Sequence, residues 1–217
     1  MCGRFTLTTA DVDALARELA ARVDEAHRAL YRPRWNAAPT DACWMVREGP
    51  AGRELLPARF GFSAPGRPAL INARAETAPR LPAFRRPFAE ARCLVPVDGF
   101  YEWVDEDGGR RPRWLHRTGG GLLLLAGLWR EEAGGPAFVL LTTPANALVS
   151  GLHGRMPAIL APEQADAWLA RPDPSLLVPA PEDWLVATPV GSRVNSVLHD
   201  DPGCLAPPAP RRQGTLF

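Results

Sequence analysis

Cys93–Thr143 reads CLVPVDGFYEWVDEDGGRRPRWLHRTGGGLLLLAGLWREEAGGPAFVLLTT. Five short runs fall within it: Cys93–Val97, Phe100–Val104, Arg113–Thr118, Leu122–Trp129 and Ala137–Thr143. Gly-rich turns such as Asp107-Gly108-Gly109 and Gly134-Gly135 divide them. Short strands with regular turns predict an antiparallel sheet closing toward a barrel. Outward from this block, Cys43–Arg47 and Glu54–Phe60 flank a Gly/Pro turn and predict a hairpin. Thr8 and Thr9 offer N-caps to a helix over Ala10–Val23, with Val12, Leu15, Leu19 and Val23 at helical spacing. Short helices are expected over Ala83–Ala91 and Pro162–Ala170, and a late strand over Trp184–Val190. The Pro-rich end from about Asp200 reads as a tail laid over the surface or disordered. The fold class is α+β: one domain over residues 1–205, a mainly antiparallel barrel-like core with flanking short helices, and a flexible tail over 206–217.

The 217 residues are 46% hydrophobic, enough for one well-buried domain. Net charge is +1, so a broad basic footprint is missing and any anionic ligand needs a local cluster. Lysine is absent, so all 25 Lys-plus-Arg positions are Arg, the better bidentate phosphate partner. It also leaves the α-amine as the only primary amine. Cys2, Cys43, Cys93 and Cys204 show no C-x-x-C spacing, so neither a zinc cage nor a disulfide framework is expected, and no metal or cofactor. The N-terminus lacks an apolar signal core and no run reaches membrane-spanning length. A reduced, cytoplasmic, monomeric protein without membrane contact is expected.

Cys2 follows the initiator Met, which is normally trimmed before a small residue. The trimmed chain carries an amine and a thiol on adjacent carbons. The amine, with a pKa of about 7.7–8.0, is partly neutral near pH 7, and the thiol near about 8.5 is partly available. Such a pair captures an aldehyde as a Schiff base, which sulfur then closes to a five-membered thiazolidine. A ring-opened abasic deoxyribose is a matching aldehyde. Gly3 permits close backbone approach and Arg4 supplies a phosphate-binding group.

Met1-Cys2-Gly3-Arg4-Phe5 resembles the start of the SOS-response-associated peptidase (SRAP) family, which includes abasic-site-processing proteins. Asn36-Ala37-Ala38-Pro39-Thr40, Ile71–Thr77 (INARAET) and Cys93–Trp103 (CLVPVDGFYEW) are similar to further family segments. Ala126–Trp129, Thr142–Asn146 and His153–Pro157 follow in family order. The resemblance spans about residues 1–205. It implies that Cys2 supplies amine and thiol and that Asn72 positions the N-terminus. It implies Glu102 as general acid/base and His153 as a proton carrier at the imine and sugar hydroxyl. Arg4, Arg74 and Arg155 would hold phosphates, with Pro39 also at the DNA. Taken singly, Glu102 also reads as an exposed strand residue, His153 and Asn72 as turn residues, and Arg155 as the partner of a surface carboxylate. Arg110, Arg111 and Arg113 read equally as a solvated turn or as phosphate contacts.

Two segments need separate treatment. Family members carry a W-G-L-x-P-x-W stretch near the DNA bases, but this chain has Arg59-Phe60-Gly61-Phe62-Ser63-Ala64-Pro65, which leaves Phe60 as the expected stacking residue. The end Gln213-Gly214-Thr215-Leu216-Phe217 resembles the Q-x-x-L-F peptide that docks on the bacterial sliding clamp, with Gln213, Leu216 and Phe217 as anchors. The function expected is therefore a sensor and shield of abasic sites in single-stranded DNA, forming a covalent crosslink through Cys2, with self-cleaving peptidase activity as a further implication. Two other readings stay open. One is an N-terminal-nucleophile amidohydrolase of the glutamine-amidotransferase type, which also begins Met-Cys-Gly. The other is a non-catalytic single-strand binder.

Overall fold

A computed structural model describes residues 2–106 and 109–210. The strands in chain order are β1 (Phe5–Leu7), β2 (Arg34–Ala37), β3 (Ala42–Gly49), β4 (Gly52–Phe60), β5 (Asn72–Arg74), β6 (Arg92–Val97), β7 (Gly99–Glu106), β8 (Gly109–Arg117), β9 (Leu123–Glu132), β10 (Gly135–Pro144), β11 (Arg155–Pro157), β12 (Ile159–Leu160) and β13 (Leu185–Pro189). The helices are short: α1 (Val12–Glu18), α2 (Glu25–Arg28), α3 (Arg85–Glu90), α4 (Ala147–Ser150) and α5 (Pro162–Ala170).

Strands β4, β3, β6, β9 and β10 pair antiparallel in that order. β10 then meets β4 in parallel at Ala137–Arg59 and Phe138–Phe60, which closes a five-stranded barrel. Closure leaves no edge among these five. Strand side chains alternate between faces, and here both faces are buried. Cys43, Met45, Leu56, Val95, Leu125 and Phe138 fill the interior. Their neighbours Trp44, Val46, Leu55, Leu94, Ala126 and Val139 pack outward under α1, α3 and α5 through Leu15, Phe88 and Trp168. This explains the unbroken Leu122–Leu125 run, whose residues have apolar company on either side.

A second sheet, in the order β13-β8-β7-β1-β2, covers part of the barrel. Phe5, Phe100, Leu115 and Leu185 from it join the interior cluster. Arg92, 8% exposed, donates to the carbonyls of Phe88, Ala89, Trp168 and Leu169, tying the ends of α3 and α5 to the barrel. No helix among the described residues is long and apolar enough to cross a membrane.

Two expectations are corrected. The first helix starts at Val12, because Thr8 is bound to Asp98 and Asp11 caps instead, accepting from the Asp13 amide at 2.8 Å. It ends at Glu18, with Ala20 soon after at φ +48°. Residues 200–206 are part of the fold. Asp200 accepts from the amides of Trp35 and Asn36 at 2.7 and 2.9 Å and pairs with Arg34, and Cys204 is buried.

Candidate active site

β1 delivers the N-terminus to the junction of the two sheets. Phe5 pairs with Ala37 of β2 and Phe100 of β7, and the Tyr101 amide donates to the Arg4 carbonyl at 2.9 Å. Cys2 is fully buried within the interior cluster. Alternation along β7 puts Phe100 in that cluster and Tyr101 on the opposite face, so Glu102 returns to the side of Cys2. Glu102 is only 3% exposed, yet it borders a cleft of about 780 Å³. Burial pushes the Cys2 thiol well above its ordinary range, and the Glu102 carboxylate adds to the rise. A resting thiolate is thereby disfavoured.

Asn72 reaches the same place from β5, which runs parallel to β10 with Asn72 beside Leu140. Its Nδ2 donates to the Cys2 carbonyl at 3.0 Å, while its buried Oδ1 has no partner among the described residues. His153 arrives through α4, capped by Asn146, whose side chain accepts from the Val149 amide at 2.9 Å. The Arg155 amide donates to His153 Nδ1 at 2.9 Å. The Arg155 carbonyl lies 3.1 Å from the same nitrogen. His153 lines the same cleft as Glu102.

Arg4 walls the cleft and is itself clamped, donating from one Nη1 to Asn36 Oδ1 and to the Val194 carbonyl, both at 2.8 Å. Trp103 lies between Arg4 and Arg110, their guanidinium carbons 5.8 and 6.0 Å from its ring centre. Pro39 and Thr40 form the facing wall. Thr40 sits at φ +76°, in the left-handed region that a β-branched residue rarely adopts, held by its amide bond to the Phe60 carbonyl at 2.8 Å. The arrangement gathers a buried thiol, a carboxyl group, an imidazole and two guanidinium groups around one opening. That set can move protons at a carbonyl or imine carbon while holding an anionic ligand.

A family profile described as SOS response associated peptidase (SRAP) matches residues 1–197. The chain belongs to the SRAP family. The abasic site processing protein YoaM of Bacillus subtilis (strain 168) is 34% identical over 215 residues, covering 90% of this chain and 93% of that protein. YedK of Escherichia coli (strain K12), likewise titled abasic site processing protein, is 31% identical over 183 residues, covering 78% and 79%. A crystal structure of a protein from Bacteroides thetaiotaomicron superposes with a TM-score of 0.81 at 21% identity, covering 96% of this chain and all of that one, and shows the shared fold.

Within this SRAP chain, Cys2, Asn72, Glu102 and His153 converge, and Arg4 and Pro39 border the same opening. Phe60 does not join them. It is 0% exposed inside the barrel, stacked on Phe138 at 5.3 Å and against Phe5 at 5.3 Å, so no base can reach it. Arg155 makes a two-pronged pair with Glu76, at 2.7 and 2.9 Å, and donates to the Thr142 carbonyl. Arg74 is exposed on β5 two positions from Asn72. Of the arginine cluster, Arg110 borders the cleft and Arg113 pairs with Glu106. Gln213, Leu216 and Phe217 lie outside the described residues.

Sequence reading passed over Asn36, Trp103 and Asn195. Asn36 is 1% exposed and holds Arg4, and Trp103 Nε1 donates to Asn195 Oδ1 at 2.8 Å at the rim. Their signal was present for Asn36 and Trp103 alone: both sit in motifs already singled out, without a role assigned.

Proposed function

We propose that this protein captures abasic sites in single-stranded DNA as a covalent crosslink to Cys2 once Met1 is removed. The observation that carries the reading is the convergence on Cys2 of Asn72 at its carbonyl and Glu102 at its thiol, beside an arginine-walled cleft. The likeness to the abasic site processing proteins YoaM and YedK supports it.

The freed α-amine attacks C1′ of the ring-opened sugar, and the carbinolamine loses water to give an imine. The Cys2 sulfur then adds to the imine carbon while its proton passes to the imine nitrogen, giving a thiazolidine. The sum is aldehyde plus aminothiol giving thiazolidine plus water. The amine acts first and sulfur follows, because sulfur closes the ring on the imine carbon that the amine has formed. Asn72 Oδ1 accepts from the new amine and fixes its lone pair. Glu102 takes and returns the protons of amine and thiol, and the His153 ring exchanges a proton with the sugar oxygen. Arg4 and Arg74 take flanking phosphates.

The test incubates processed protein with single-stranded DNA carrying one abasic site, followed by denaturing electrophoresis. A shifted band that survives denaturation and vanishes in Cys2→Ala is expected. An unshifted band with verified Met1 removal would refute the reading. Glu102→Gln is expected to slow crosslinking about 10²-fold while leaving DNA affinity intact. An unchanged rate removes Glu102 from the chemistry.

A further inference from the structure

Val197 and Leu198 make an apolar step at the rim of the cleft that the fold does not use. Val197, on the cleft wall, is 56% exposed and Leu198 is 88% exposed, the highest among the exposed large apolar side chains of the described residues. Leu198 gains little burial from folding, and Val197 keeps more than half of its surface exposed. The backbone beneath them is nonetheless tightly held. Asn36 Nδ2 donates to the Ser196 and His199 carbonyls at 3.0 and 2.7 Å. Arg4 holds Val194, and the Leu198 amide donates to Ser196 Oγ at 3.3 Å. The step is thus fixed to Arg4, two positions from Cys2.

A rigid aliphatic step beside guanidinium groups fits a ligand with an apolar face on a charged backbone. A strand of nucleic acid has that composition, its phosphates over Arg4 and Arg110 and a base face over the step. Apolar side chains inserted between base steps unstack them at a modest cost, smallest where a base is missing. Phe60 and Phe62 are both 0% exposed, so that segment offers no aromatic ring for the task. We propose that Val197 and Leu198 form a wedge that separates the base flanking the abasic nucleotide from its neighbour. This rests on the DNA reading above.

The test uses single-stranded DNA with a tetrahydrofuran abasic analogue, which lacks the aldehyde, flanked by 2-aminopurine. Binding is then read without any crosslink. Saturating wild-type protein is expected to raise 2-aminopurine fluorescence, because an aliphatic contact relieves stacking quenching. Val197→Ser/Leu198→Ser is expected to lose most of that rise and bind about 5-fold more weakly. Leu198→Ala alone is expected to give an intermediate rise. Both variants should melt with the wild type, since the side chains are exposed. A full rise in the double variant, or no rise in saturated wild type, overturns the wedge even if the Cys2 crosslink is observed. Failure of wild type both to bind the analogue and to crosslink the natural site overturns the DNA reading and the wedge together.

Discussion

Replacing Asn36 with Ala tests whether one buried amide sets the geometry of the cleft wall. Asn36 is 1% exposed, accepts from Arg4 at 2.8 Å and donates to the carbonyls of Ser196 and His199 at 3.0 and 2.7 Å. Truncation strands the Ser196 carbonyl, leaves the His199 carbonyl with only the weak Cys204 Sγ donor at 3.5 Å, and removes one of the two Arg4 anchors shown for Nη1. Each orphaned buried group costs about 1–3 kcal/mol, with the lower end fitting positions that cleft water can reach. A total of about 3 kcal/mol follows, or roughly 6–12 °C in melting temperature for a chain of this size. Asn36→Asp keeps the acceptor for Arg4 but loses both N–H groups and sets a carboxylate against carbonyl oxygens, so it should fare no better. Urea denaturation followed by tryptophan fluorescence reads the loss directly. The crosslinking rate should fall in parallel, because Arg4 and the segment 194–199 lose their common anchor. A midpoint change worth less than about 0.5 kcal/mol in both variants would refute the clamp.

Two further outcomes follow from local geometry. Burial alone would raise the Glu132 carboxyl, but hydrogen bonds from Ser63, Arg130 and Arg59 outweigh it and hold the group down to about 2. A depressed carboxyl stabilises the fold above its unfolded value near about 4.3 and loses that contribution as pH falls toward 2; Glu132→Gln should therefore remove roughly 3 kcal/mol of the acid-dependent stability, and identical pH profiles of the urea midpoint would contradict the cluster. A methyl at Gly99 would sit 2.1 Å from Trp114 Nε1 and 2.8 Å from the Leu115 carbonyl. Gly99→Ala should break the Trp114–Thr6 hydrogen bond and cost about 1–3 kcal/mol, read as a lower urea midpoint with altered tryptophan emission; a neutral result would show that β8 yields.

The barrel was legible because short apolar runs alternate with Gly-rich turns, and the α+β class follows from that block. Side-chain parity along a strand explains the error at Phe60. Phe60 is in step with Leu56 and Ala58 along β4, and all three belong to the interior cluster, so parity already placed it inside. β5 was illegible because three residues carry no period, and its partner β10 lies far along the chain. Residues 200–206 were misread because proline content resembles that of a tail, whereas Asp200 caps backbone groups more than 160 positions earlier. Arg155 and Glu76 lie 79 positions apart, so nothing local announces their pairing.

The clamp between Arg4 and Val194 also has a consequence in time. The two residues are 190 positions apart, so this wall of the cleft cannot close until the chain through Val194 has left the ribosome. At ordinary synthesis rates that interval is roughly 10–40 s. Cys2 leaves the tunnel early, whereas Arg4 acquires its Val194 anchor only after some 190 further residues have been made. A polypeptide cut short before Val194 therefore carries Cys2 beside an Arg4 that lacks this anchor.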